Sequence, residues 1–186
     1  MSKGCYGYLA RQKKKEILKT ILFFALSLSL FAIGYLTTGT KKNLLTIVAM
    51  LGFLPASKSM VSMIMYLKAG GCSESCYQRL QEMQLSGMHI LYDLYLTSYR
   101  SNFQISAMAV RNQTICGYTE DANCDLSAGE KHLTEILRQN GYQGLTVKLY
   151  QSADSFMDRL AQLGAMPEKG EEKEAAIREI IKDISL

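Results

Sequence analysis

The sequence predicts an α+β protein: an N-terminal two-helix transmembrane hairpin, followed by a small cytoplasmic domain whose mixed or antiparallel sheet is packed by helices. Three observations carry this expectation. Two apolar runs, 17–38 and 44–67, are separated only by GTKKN, Gly39 to Asn43. Charge is unevenly divided: residues 1–70 hold ten Lys/Arg against one acid, Glu16, whereas residues 71–186 hold eleven Lys/Arg against sixteen acids. Beyond residue 70 the long apolar runs give way to short helical and strand-like periods.

The first run, built around ILFFALSLSLFAIGYL, has the length needed to cross roughly 30 Å of hydrocarbon. A basic stretch precedes it, as in a signal peptide, but no A-x-A-like site closes it and a second apolar run follows at once. The five-residue link predicts antiparallel helices with both ends on one side of a membrane. Lys3, Arg11, Lys13, Lys14, Lys15 and Lys19 outweigh Lys41 and Lys42 in the link, so residues 1–16 form a basic cytoplasmic N-terminus. The expected location is the cell (inner) membrane, multi-pass, with both termini cytoplasmic and the lipid bilayer as first partner. Five cysteines, an odd number at irregular spacing, fit free thiols in a reducing compartment.

Two features of the second helix are candidate contacts. Ala49, Gly52, Ala56 and Ser59 fall within about 80° of one another and make a stripe of small residues that admits a close helix. Ala25, Ser29 and Ala32 offer a similar stripe on the first helix, so the two stripes are expected to pack together, the alternative being a membrane-protein partner or a homo-oligomer. Lys58 lies about 200° from Ala56 and points away from the stripe. It is read as a snorkelling lysine, or as a contact for anionic lipid or a partner helix. Pro55 frees the carbonyl of Leu51, and folding about Lys41 sets Ser27 level with Pro55 as a donor to that carbonyl.

The domain is expected over 71–166. Behind the break Gly70-Gly71, Cys76, Leu80, Met83 and Gln84 have helical spacing within Ser73 to Ser86. MHILYDLYLTSY, Met88 to Tyr99, reads as a strand with Ile90, Tyr92, Leu94 and Leu96 opposite His89, Leu91, Asp93 and Tyr95. SNFQISAMAV and QTICGYT supply further strands that break near Arg111-Asn112. Ser127 with Glu130 fits a capping box for a helix ending at Asn140-Gly141. Leu145 to Tyr150 is a strand, and Ser152 caps a helix to Leu163. The tail, 167–186, places Ile177, Ile180, Ile181 and Ile184 on one helical face, for docking on its own domain or on a partner.

Over about residues 76–163 this element order resembles that of the restriction-endonuclease-like fold. The resemblance implies a metal held by an Asp and a D/E-x-K pair on adjoining strands. Asp93 matches the first, but no D/E-x-K stands in the strands before Ser127, so the active site of that fold is expected to be missing.

Other constellations depart from their patterns. Cys72, Cys76, Cys116 and Cys124 lack the C-x2-C spacing of zinc knuckles. Asp121, Asn123 and Asp125 match the start of a calcium loop whose glycine is replaced by Leu126 and whose closing Glu is replaced by His132. Cys116 with His132 would make a nucleophile and base without an orienting third group. No catalytic, metal or cofactor residues are therefore assigned and no cofactor is expected. The acidic domain argues against nucleic acid as a partner. The expected function is a non-catalytic, membrane-anchored interaction or regulatory module. The alternatives are a membrane-tethered hydrolase or nuclease-like enzyme and an accessory subunit of a transporter.

Overall fold

A computed structural model describes residues 2–40, 43–83, 85, 87–98, 101–167 and 170–186. Lys41 and Lys42 of the link, the helical position Gln84, the helix end Ser86 and the strand end Tyr99 lie outside the described residues. The chain is α+β, with six helices and one four-stranded mixed sheet among the described residues. It divides into two compact units, Ala10–Ala69 and a domain made of Gly70–Leu186 together with the first nine residues.

The first unit holds most of α1 (Tyr8–Thr38) and all of α2 (Leu44–Lys68), both long and apolar enough to cross a membrane. Asn43 caps α2, its side chain accepting the Thr46 amide. The same side chain donates to the Gly34 carbonyl at 2.8 Å, which fastens the link to α1. The helices are antiparallel: Thr20 meets Ser59 through a 2.9 Å hydroxyl hydrogen bond, Phe24 meets Phe53 edge-on, and Gly34 abuts Leu45.

In the domain, α3 (Glu74–Glu82) is followed by β1 (Ile90–Thr97), β2 (Asn102–Arg111), β3 (Thr114–Tyr118), α4 (Leu126–Gln139), β4 (Thr146–Tyr150), α5 (Ala153–Gly164) and α6 (Glu171–Ile184). The sheet order is β1-β2-β3-β4, antiparallel except for the parallel pair β3–β4. One face buries Leu94, Leu96, Ile105, Met108 and Ile115 under Leu133 and Leu137 of α4 and Ile177 and Ile181 of α6. The other buries Tyr92, Ala107, Ala109 and Cys116 under Leu80 of α3 and Phe156, Leu160 and Leu163 of α5.

The expected alternation along β1 holds only in part. Leu91, Leu94 and Leu96 share one face and Tyr92 takes the other. Between them Asp93 adopts a left-handed conformation, φ 55°, which shifts the side-chain phase. Asp tolerates that region because its short side chain finds a local hydrogen bond. The cap of α4 also differs. Asp125, not Ser127, is the N-cap and accepts the Ala128 amide at 3.0 Å. The helix thus starts early enough to carry Glu130 past the first turn, where it accepts the Leu149 amide at 2.9 Å and pairs with Lys148.

The chain termini finish the free edge of β1. The Tyr92 amide donates to the Gly4 carbonyl at 2.8 Å, Leu96 bridges to Ser185, and the Leu186 amide donates to the Tyr95 carbonyl. The Lys3 ammonium joins the two ends by donating to the Ser185 carbonyl at 2.6 Å. Tyr6 stacks on Tyr77 with ring centres 4.0 Å apart. An open edge strand invites pairing with other chains, and these contacts cover it.

Candidate functional site

The two candidate regions are the surface of the helix pair and the polar seam where the chain enters the domain. In the helix pair, Ala49, Ala56 and Ser59 are buried, and a side chain at Gly52 would come within 2.6 Å of the Ser27 hydroxyl. The partner surface on α1 is Thr20, Ser27 and Gly34, spaced by sevens, as expected of two helices crossing at a shallow angle. Ala25, Ser29 and Ala32 face outward instead. The pair folds about residues 39–40, so Ser27 stands beside Gly52, short of the level of Pro55. This register places Lys58 level with Ile21, about 3 Å in height from the level of Lys19. Lys58, Lys19 and Lys15 are all exposed. Lys19 lies 3.6 Å from Glu16, whose second carboxylate oxygen is buried without a hydrogen-bond partner. Sequence reasoning passed over Glu16, because a lone acid in a basic stretch reads as solvated until its face is known.

The polar seam begins at Gly70-Gly71. The Gly70 amide donates to Gln104 Oε1 at 3.1 Å, and a Cβ on either glycine would strike Gln104 or Asp93. Buried Asp93 then accepts the Cys72 amide at 2.7 Å. Ser73 caps α3 and gives its own amide to Glu120 at 2.8 Å. The Cys72 thiol donates to the Ser73 carbonyl at 3.5 Å, and its interaction with Cys76 favours the Cys76 thiolate, lowering Cys76 while Cys72 itself is pushed up.

These contacts decide several expectations. Asp93 spends its carboxylate on the backbone of the entering chain. Cys124 belongs to the opposite face of the sheet from Cys72, Cys76 and Cys116, so the four thiols do not converge. His132 packs against Phe103 on the α4 side, away from Cys116. Asp121 accepts the Asn123 amide and Asp125 caps α4, so the acidic loop turns its carboxylates onto its own backbone. Among the described residues no group of three His, Cys, Asp or Glu is arranged to hold a metal ion.

The isoleucines of the tail divide by depth. Ile177 and Ile181 are fully buried in the core, while Ile180 and Ile184 pack at its margin. Buried Glu174 secures the same helix by accepting the Asn112 amide at 2.6 Å in the β2–β3 turn.

Tyr92 provides a pH probe of the seam. Burial pushes its phenol up to about 12, against a weaker opposing hydrogen bond with Gln81. The fold therefore favours the protonated phenol. Its contribution to stability is complete below the ordinary tyrosine pKa of about 10 and is lost as pH rises toward about 12. In a spectrophotometric titration of the full chain, Tyr92→Phe should remove one late-ionising phenol and soften the loss of stability over that interval. An unchanged profile would contradict the assignment.

Comparison with protein-family models, with curated proteins and with solved structures finds no match.

Proposed function

We propose that the protein is a membrane-anchored interaction or regulatory module, in which α1 and α2 cross a cell (inner) membrane as a hairpin with both termini in the cytoplasm. The domain then acts by binding a protein or a small ligand rather than by catalysis. The observation that most supports this reading is the N-terminal arm. Residues 2–9 belong to the same compact unit as the domain, so both ends of the helix pair run into one folded body. A chain that leaves that body, crosses a bilayer and returns must cross an even number of times, as two spans do. The outward surface of the pair supports it as well: Leu22, Leu26, Leu36, Leu44 and Leu54 are each more than half exposed, a surface that suits hydrocarbon better than water. The basic residues at the start of α1 favour the cytoplasmic side for the arm and the domain.

The test is labelling of intact expressing cells with an impermeant maleimide. Thr40→Cys in the link should react, while half-exposed Cys5 should react only after the cells are broken. Reaction of Cys5 in intact cells would reverse the orientation. Extraction of the protein by alkaline carbonate without detergent would remove the membrane from the reading altogether.

A further inference from the structure

We propose that Lys19 and Lys58 form a seat for the phosphate of an anionic phospholipid, on one side of the helix pair where its apolar surface ends. The proposal rests on the membrane reading above and sharpens it.

The geometry follows from the contact between Thr20 and Ser59, which face each other through their 2.9 Å hydrogen bond. Lys19 precedes Thr20 and Lys58 precedes Ser59, so each side chain is turned about 100° from that contact. The helices run in opposite directions. Viewed from one end, the two turns therefore have opposite sense, and both lysines swing to the same side of the pair. They are also level to within about 3 Å. Lys15, one turn before Lys19, lies about 40° from it, whereas Lys14 lies about 140° from it, on the other side.

Depth agrees with headgroup chemistry. From Thr20 to Thr38, α1 rises about 27 Å, close to the thickness of a hydrocarbon layer. Lys19 and Lys58 thus stand one layer from the link, where phosphates lie. Exposed Leu22, Leu54 and Val61 surround this level and offer contacts to acyl chains that a free phosphate would not use. Three cations, Lys15, Lys19 and Lys58, face one opposing carboxylate, Glu16, whose hold on Lys19 at 3.6 Å leaves the other ammonium protons directed elsewhere.

The test uses the full chain in nanodiscs of phosphatidylcholine containing a minor fraction of phosphatidylglycerol, with retained lipid counted by native mass spectrometry. Wild type, Lys14→Gln and Lys58→Arg should keep phosphatidylglycerol. Lys19→Gln and Lys58→Gln should each bind it about five-fold more weakly, the effect expected of one lysine near an anionic surface. Equal retention by wild type and Lys58→Gln overturns the seat while leaving the membrane reading intact. An equal loss in Lys14→Gln shows diffuse attraction only and also overturns it. Displacement of the lipid by inorganic phosphate at matched concentration would show an anion site without lipid character. A chain that does not join the nanodiscs at all takes down both readings.

Discussion

Ile181→Ala is expected to lower the stability of the full chain by about 3 kcal/mol, within the range for an aliphatic side chain truncated in a core. Ile181 is fully buried with Leu94, Ile105 and Leu133, and its loss leaves a cavity between α6 and the sheet. Ile180→Ala, one residue away at the margin of the same core, should cost about 1 kcal/mol, since less surface is taken from water. The pair separates a tail that is part of the fold from a tail that merely lies upon it. Urea unfolding in mild detergent, followed by tyrosine fluorescence, suits a chain with 11 Tyr and no Trp. Equal small losses in both variants would mean that α6 is not a core element.

Asp93→Ala should be comparably damaging, by about 3 kcal/mol, for two reasons that add. The Cys72 amide would lose its acceptor in a buried place, at a cost of about 1–3 kcal/mol. Alanine would also have to hold the left-handed backbone at φ 55°, at about 1–2 kcal/mol. Asp93→Asn keeps an acceptor oxygen and tolerates that backbone, so it should lose less than about 1 kcal/mol. Were Asn as harmful as Ala, the carboxylate charge rather than its geometry would be what matters.

Much of the domain was legible because local chemistry and tertiary packing agree there. Ser152 caps α5, Gly141 follows α4 with φ 88°, and the isoleucine spacing of the tail marks the face that enters the core. The misread features each depend on a contact distant in sequence. The phase of β1 changes at Asp93 because the chain entering from α2 brings an amide to it. The cap of α4 moved to Asp125 while Glu130 was drawn to β4. In the helix pair, both stripes looked equally suited to packing, and the fastening of Asn43 to Gly34 set the register that chose Thr20, Ser27 and Gly34. The arm was missed altogether. Its only signal was KGCYGYL, glycines and tyrosines set before a basic run, which reads simply as part of a basic N-terminus unless the edge of β1 is in view.

The arm has a consequence for the order of events in synthesis. Lys3 and Ser185 stand 182 positions apart in the sequence, yet they are bonded to each other. Joining ends so far apart carries a loop-closure cost that grows only slowly with length. The bond nonetheless has to wait until Ser185 has emerged from the ribosome. The domain is therefore completed only once α6 has been made, around an arm held in reserve while everything between is synthesised. Gly4, Ser185 and Leu186 share one sheet edge, and an inserted tag is best placed elsewhere in the chain.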